Sequence, residues 1–229
     1  KTVNTQCIQA AVDDCAGNGG GTVYFPAGIF ISGTVYLKSY VNLHLEIGAV
    51  LRGSRETGDY PVTVPKGMSK DIEFTRSLIY GEGLRYVGIT GNGIIDGHSE
   101  TYFQDMQELR ESDYMAWRKL RPFNVRTVDC EHVVLRDVTL MNACAWCLHC
   151  RECRNIQVKG ITLNNSRKGI PNADGIDLDG CQNVRISDCD ITSRDDALVI
   201  FGKASKNIVI TNCFLSSNCH AFKMYSGGV

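Results

Sequence analysis

A short pattern that returns three times in the last third of the chain is the feature that most constrains its fold. Each copy begins with an ionisable residue, continues with Gly or Ala, and has apolar residues at its third and fifth positions. The copies begin at Asp174, Asp196 and His220, which are 22 and 24 positions apart. Repeats of about 20 to 50 residues are typical of solenoids, in which equivalent positions stack. We therefore predict one column of these side chains, with Asp195 beside it.

A longer repeat runs through most of the chain. Its apolar anchors are Val87, Val133, Ile156, Val184 and Ile208, and a second apolar residue follows each anchor seven positions later. These second residues are Ile94, Leu140, Leu163, Ile191 and Leu215. From Val133 onward the spacings are 23, 28 and 24, whereas the first gap of 46 equals two layers, or one layer with an insertion. Such layers predict an all-β parallel β-helix, and the lack of an LxxLxL signature disfavours leucine-rich repeats.

Two segments depart from the repeat within what we predict to be a single domain over residues 1–229. Residues 4–16 have helical periodicity in Ile8, Ala11, Val12 and Cys15, and the glycine-rich run after them ends the helix. We expect this short helix, in a cap of about residues 1–20, to cover the first layer. Residues 98–122 are charged, aromatic and without strand pattern, which predicts an insertion.

Polar residues also follow the repeat. His132, Asn155, Asn183 and Asn207 each stand one position before an anchor. Asn tolerates left-handed backbone at corners and can form hydrogen-bonded ladders between layers. We interpret His132 as a ladder member rather than a ligand.

The cysteines require a separate interpretation. Cys144, Cys147, Cys150 and Cys153 have a spacing that is compatible with zinc or iron–sulfur binding. The repeat argues against this, because at least seven of the 11 cysteines occupy repeating small or apolar positions, where free Cys behaves as a small hydrophobe. We expect no metal site there, and since 11 is odd, at least one thiol has no intramolecular partner.

Composition excludes some functions. A formal net charge of −1 gives no reason to expect nucleic acid or an anionic membrane as partner. No apolar run approaches the roughly 18 residues that span a bilayer. The chain begins at Lys1 without an initiator Met, so we expect that a preceding segment was removed.

Three ordered segments, one layer apart, carry a family resemblance. They are Asn172-Ala-Asp174-Gly-Ile-Asp177, Arg194-Asp195-Asp196-Ala and Cys219-His220-Ala. In this order they resemble the Asn-x-Asp, Asp-Asp and Gly-His-Gly motifs of glycoside hydrolase family 28, the polygalacturonases and related pectinases. Stretches such as 19–27 and 93–97 are similar to that family too, so the resemblance covers most of the chain. It implies a right-handed, pectin-lyase-like β-helix that hydrolyses pectic galacturonides with inversion.

Glycoside hydrolysis needs one carboxylic acid and one carboxylate. The resemblance assigns Asp196 to the general acid, Asp174 and Asp195 to the pair that activates water, and His220 to tuning the acid. Carboxylates about 4.8 Å apart in adjacent layers repel one another, so at least one pKa should be raised. This spacing is close to the roughly 5 Å of retaining enzymes, so inversion requires side-chain directions that open the gap. We also expect a corner after Asp174 that turns its carboxylate outward.

Residues around the column are candidates for substrate binding. They are Asn172, Asp177, Arg167, Lys168, Lys223 and Trp146. Arg167 and Lys168 lie in the extra residues of the 28-residue layer, where we hypothesise a contact with an acidic sugar. Trp146 shares the phase of the column and either forms a platform for a sugar or packs.

Alternatives stay open. An Asp near a corner often only caps a turn, which allows a non-catalytic carbohydrate-binding β-helix. Stacked carboxylates can also hold Ca²⁺, which allows a calcium-dependent, pectate-lyase-like enzyme with Lys223 as the nearby base. We otherwise expect no metal and no cofactor.

The chain also departs from the family pattern. Cys219 and Ala221 stand where the family has glycines, and the family's Arg-x-Lys motif would lie beyond Val229. We therefore expect a divergent, C-terminally truncated member whose later layers are missing. When full length it is expected to be a monomeric extracellular or periplasmic protein that acts on pectic poly- or oligosaccharide, with neither nucleic acid nor membrane as partner.

Overall fold

Three parallel β-sheets form the body of the protein. A computed structural model describes residues 3–66, 75–100 and 104–225. In these residues each sheet has seven strands, and the chain visits the sheets in turn, so that each coil adds one strand to each sheet. Crossovers between parallel strands are right-handed, and the fold is the predicted right-handed parallel β-helix.

The three sheets are named A, B and C. Sheet A contains β1 (Gly21–Phe25), β4 (Val41–Leu45), β7 (Arg85–Gly91), β10 (Glu131–Arg136), β13 (Arg154–Lys159), β16 (Gln182–Ser187) and β19 (Lys206–Thr211). Sheet B contains β2 (Gly28–Ser32), β5 (Ala49–Gly53), β8 (Ile94–Asp96), β11 (Thr139–Met141), β14 (Thr162–Asn165), β17 (Asp190–Ser193) and β20 (Phe214–Ser217). Sheet C contains β3 (Val35–Tyr36), β6 (Arg76–Glu82), β9 (Pro122–Val128), β12 (Leu148–Arg151), β15 (Ile176–Asp179), β18 (Leu198–Phe201) and β21 (Phe222–Met224).

Strand register confirms the longer repeat. All the predicted anchors, from Val87 to Ile208, are partners of one another across sheet A. The gap of 46 residues is therefore one coil with an insertion. The prediction for Ile94 is wrong, because Ile95 is the partner of Leu140 and is fully buried, whereas Ile94 is half-buried. The Gly-Asn-Gly corner before β8 is one residue longer than the later corners, and a one-residue offset exchanges the two faces of a strand.

The predicted capping helix is α1 (Thr5–Gly17). Ile8 and Val12 are buried in the core, and the helix contacts β1, β3 and β4 of the first coil. Cys15 packs partly against the core. Ala11, which we predicted on the same face, is exposed, so the buried stripe is narrower than predicted.

Among the described residues of the predicted insertion are two further helices. They are α2 (Gln107–Ser112) and α3 (Tyr114–Leu120), and the fully buried Trp117 anchors the second. A short 3₁₀ helix spans Thr57–Asp59 in an earlier loop. The division into one domain with a cap and an insertion stays a prediction. Among the residues that the structure describes, no helix is both long and apolar enough to cross a membrane.

The polar ladder forms at one corner. His132, Asn155, Asn183 and Asn207 all have left-handed backbone, with φ between 56° and 58°. The Asn183 amide donates to Asn155 at 3.1 Å, and the Asn207 amide donates to Asn183 at 3.0 Å. His132 joins the column by stacking on Tyr86, with ring centroids 4.3 Å apart. Its predicted position in the column is confirmed, and its contact with Tyr86 is ring stacking rather than a hydrogen bond.

Seven of the eleven cysteines are buried, whereas Cys7 and Cys219 are exposed. All eleven are free thiols. Cys144, Cys147, Cys150 and Cys153 are fully buried, and burial raises the pKa of each thiol, that of Cys150 to about 12. Metals bind the thiolate form, so burial opposes the zinc and iron–sulfur interpretations.

Candidate active site

The corner between sheets B and C brings the predicted column together. The amides of Cys147, Gly175 and Ala197 donate to the carbonyls of Asp174, Asp196 and His220 in the next coil, at 3.1, 2.9 and 2.8 Å respectively. Consecutive coils are therefore in register at this corner. One carboxylate oxygen from each of Asp174, Asp195 and Asp196 lies within 4.8 Å of the others. We call these three residues the acidic cluster.

A bend at Gly175 aims Asp174 outward. Ile176 and Leu178 of β15 belong to the apolar core, whereas the carboxylate of Asp174 joins the acidic cluster. A Cβ at Gly175 would lie 2.3 Å from the carbonyl oxygen of Ala197. A side chain at this position would collide with the backbone of the next coil, so the local backbone here requires glycine. The predicted corner is thus present, and its glycine is required by space.

Polar residues beneath the corner hold the backbone of the cluster. Asn165, Ser193 and Ser217 are partners in register at the ends of their sheet B strands. Asn165 donates to the carbonyl of Asp174 at 3.0 Å, and the Ser193 hydroxyl donates to the carbonyl of Asp195 at 2.7 Å. Ser217 also donates to the carbonyl of Asp195. Our sequence analysis missed this set, although each member stands two positions after a predicted apolar residue of the repeat.

Arg121 connects the insertion to the cluster. Its guanidinium is fully buried and donates to the carbonyls of Cys144 at 3.1 Å and Pro171 at 2.7 Å, and to the side chain of Asn172 at 3.2 Å. The backbone N–H of Asn172 in turn donates to Oδ2 of Asp195 at 3.2 Å. Asn172, predicted to bind substrate, therefore orients Asp195. Residue spacing does not reveal Arg121 as part of the site, because its partners lie up to 51 positions away.

Both oxygens of Asp196 are engaged. Nδ1 of His220 lies 2.6 Å from Oδ1, and the Lys223 ammonium donates to Oδ2 at 2.8 Å. An ionised carboxylate only accepts hydrogen bonds, so Nδ1 of His220 carries the hydrogen. Burial raises the pKa of Asp196, but the hydrogen bonds from Lys223 and His220 outweigh it and leave that pKa below its usual 3.8.

The pKa values of Asp174 and Asp177 are shifted in the opposite direction from that of Asp196. Burial, followed by the negative charges of Asp195 and Asp196, raises the pKa of Asp174 to about 8. Burial also raises the pKa of Asp177 well above its usual value, with Asp174 the next largest cause. Within the described residues, Oδ1 of Asp174 and Oδ2 of Asp177 have no hydrogen-bond partner. The expected raised pKa is present, and it belongs to Asp174 and Asp177 rather than to Asp196.

The carboxylates lie close together. Their nearest oxygens, within 4.8 Å, are closer than the roughly 6.5 to 9.5 Å that is typical of inverting glycosidases. Side-chain direction thus does not open a wide gap between the nearest oxygens.

The remaining predicted residues surround the cluster unequally. Trp146 is half-buried and packs against the rings of Phe123, His149 and Phe201, at centroid distances of 5.6, 5.1 and 6.2 Å. Packing therefore fixes the indole one coil before Asp174. Its contact with a sugar stays a prediction.

Arg167 is engaged elsewhere. Its guanidinium pairs with Glu100 at 2.5 Å, beside a cavity of about 250 Å³ that Asp96 and His98 also line. Lys168 is exposed. The positive charge of Arg167 is therefore already paired with a carboxylate of the protein, which weakens the hypothesis that this residue binds an acidic sugar.

In the part of the chain that the structure describes, two overlapping groups have ligand atoms close enough for a metal ion. They are the acidic cluster itself and the set of Asp196, Cys219 and His220. The ammonium of Lys223 already supplies a positive charge at Asp196. A divalent cation would have to displace it, so we assign no metal ligand here.

Comparison with known proteins identifies the family. The sequence model of glycosyl hydrolases family 28 matches residues 15–223. A "Probable polygalacturonase" of Vitis vinifera is 33% identical over 92% of this chain and 45% of its own length. The chain thus spans about half the length of this curated relative.

Solved structures agree on the fold. The family 28 exopolygalacturonase of Yersinia enterocolitica superposes with a TM-score of 0.75 and 23% identity, over 95% of this chain and 53% of that one. The polygalacturonase of Erwinia carotovora superposes with a TM-score of 0.79 and 21% identity, over 98% of this chain and 67% of that one. With the family match over most of its length, the chain belongs to glycosyl hydrolases family 28.

Proposed function

We propose that the protein hydrolyses α-glycosidic bonds of pectic, galacturonic-acid-containing poly- or oligosaccharides. The observation that carries this proposal is the acidic cluster, which holds a protonated and an ionised carboxyl group within reach of each other. Hydrolysis of a glycoside needs both states at once. The family match and the polygalacturonase relative support the choice of substrate.

The roles follow the family motifs. Asp196 is the general acid in the substrate complex, and Asp174 and Asp195 position and activate water. His220 donates to Asp196 and lies at the exposed side of the cluster, where it can contact a sugar hydroxyl. Asn172, Asp177, Lys223 and Trp146 complete the substrate surface, with Arg167 and Lys168 at its periphery. The reaction is expected to invert the anomeric configuration.

The setting of the activity is also a proposal. A pectic substrate is a plant cell-wall polymer, so a secreted, extracellular or periplasmic location fits it. We expect a monomer that needs no cofactor.

The test combines products with one substitution. We expect reducing ends from polygalacturonate, no absorbance at about 235 nm, and no effect of EDTA. Asp196→Asn should lower the rate by roughly 10²- to 10⁴-fold, because it removes the proton donor. Asp190→Asn, at an exposed position of β17, is the matched control.

Each other outcome points to a different function. Ultraviolet-absorbing products lost with EDTA would indicate a calcium-dependent lyase, and binding without products would indicate a carbohydrate-binding β-helix. Full activity of Asp196→Asn would refute its role as the acid. NMR of the first product formed would distinguish inversion from retention.

A further inference from the structure

The proposed general acid is ionised in the protein as it stands. Both oxygens of Asp196 accept hydrogen bonds, one from Nδ1 of His220 at 2.6 Å and one from the Lys223 ammonium at 2.8 Å. A carboxylate in this arrangement has neither a proton nor a free oxygen to offer a leaving group. The reaction therefore requires a change at Asp196 when substrate binds.

Lys223 is the partner that can leave. Its side chain is 40% exposed, whereas that of Asp196 is 6% exposed. A lysine ammonium is a point charge on a flexible four-carbon stem, so it can follow an anion that enters from solvent. Lys223 is therefore a positive charge at the acidic cluster that an acidic sugar can reach from solvent.

A proton for Asp196 is available nearby. Asp195 faces it on the same corner, Asp174 and Asp177 face it from the preceding coil, and Cys219 precedes His220 in the following one. The nearest oxygens of Asp174 and Asp196 are within 4.8 Å, which is the span of one bridging water. Because burial keeps the pKa of Asp174 at about 8, its carboxyl carries a proton at neutral pH.

We infer that Lys223 is a positioning residue through which an acidic substrate activates the general acid. In the free protein it holds Asp196 ionised. When a uronate binds, the Lys223 ammonium pairs with the uronate carboxylate instead of with Asp196. Asp196 then receives the proton that Asp174 gives up. The number of protons on the acidic cluster stays the same, and Asp174 becomes a carboxylate that, with Asp195, can activate water. A neutral sugar leaves Lys223 on Asp196.

This inference rests on the proposed function and adds a reason for a preference for acidic sugars. The direct test is ¹³C NMR of the aspartate carboxyl carbons at neutral pH, with a non-hydrolysable thio-linked digalacturonate as probe. The matched neutral probe is thio-linked galactobiose. With the acidic probe, the Asp196 carbon should move to the position of a protonated carboxyl and the Asp174 carbon to that of a carboxylate. The neutral probe should move neither.

A substitution provides the second measurement. Lys223→Met should weaken binding of the acidic probe by roughly 10- to 100-fold, the loss expected for one hydrogen bond to a charged group, and should leave binding of the neutral probe unchanged. It should also shift the pH profile of kcat/KM to higher pH, because a positive charge beside Asp196 is removed. Lys206→Met, at an exposed position of β19, is the matched control and should do neither.

Different failures have different meanings. Binding of the acidic probe while Asp196 stays ionised overturns the inference and leaves the proposed function intact. Failure of the acidic probe to bind at all overturns the proposed function and the inference with it. Identical behaviour of Lys223→Met and Lys206→Met also overturns the inference.

Discussion

Replacing Asp174 by Asn should stabilise the fold at neutral pH. The folded carboxyl has a pKa of about 8, against a usual value of 3.8, so folding takes up a proton between these values. A raised carboxyl pKa lowers stability as pH increases, because the unfolded chain binds fewer protons than the folded one. At about 1.36 kcal/mol per pH unit, this one carboxyl should lower the free energy of unfolding by roughly 4 kcal/mol between about pH 4 and pH 7.

Asp174→Asn has no proton to take up and should lack this dependence. Asp174 is only 7% exposed, so solvent screening removes little of the effect. The assay is urea unfolding of both proteins at several pH values across this interval, followed by tryptophan fluorescence. Asp190→Asn, at an exposed position, controls for the removal of a negative charge. If Asp174→Asn and the native chain show parallel pH profiles, the raised pKa of Asp174 is refuted.

Two further predictions concern the supports of the site and of the coil. Arg121→Lys keeps the charge but cannot form all the hydrogen bonds to Cys144, Pro171 and Asn172. It should lower the free energy of unfolding in urea by roughly 2 to 4 kcal/mol and should lower kcat. Unchanged stability would show that these hydrogen bonds do not hold the corner. Asn183→Ala should lose roughly 1 kcal/mol more unfolding free energy than Asn183→Gly in thermal unfolding. Both variants lose the hydrogen bonds of the ladder, but only Ala is strained at φ 56°. Equal losses would show that the left-handed backbone imposes no constraint there.

The repeat made much of the fold predictable. Counting residues between apolar anchors gives the register directly, because each coil must return its anchor to the same sheet. This also placed Asp174, Asp196 and His220 in one column without any information about side chains. Ile94 was misplaced because one corner is a single residue longer than the others. The spacing between anchors measures the length of a whole coil and therefore does not reveal the length of one corner.

The protonation states of the carboxyl groups in the site could not be predicted from residue spacing. The pairing of Lys223 with Asp196 depends on side-chain direction over 27 positions, and that of Arg121 with Asn172 spans 51. The spacing predicts that at least one carboxyl in the column has a raised pKa, but not which. The hydrogen-bond donors decide between Asp174 and Asp196, because both carboxyl groups are buried and Asp196 is the one that accepts from His220 and Lys223. These contacts depend on the folded coil.

The geometry that stabilises the coil also creates the chemistry at its corner. Strands of a parallel sheet lie about 4.8 Å apart, and Gly175 permits contact with the next coil without a side chain between them. Carboxylates placed at this corner cannot move apart, so their repulsion must be relieved by protons and cations. Asp174 takes the proton and Asp196 the cation, which separates the two protonation states that glycoside hydrolysis needs. In the mechanism that we propose, a substrate with its own negative charge competes for the Lys223 ammonium, and the same charge that stabilises the free site then distinguishes an acidic sugar from a neutral one.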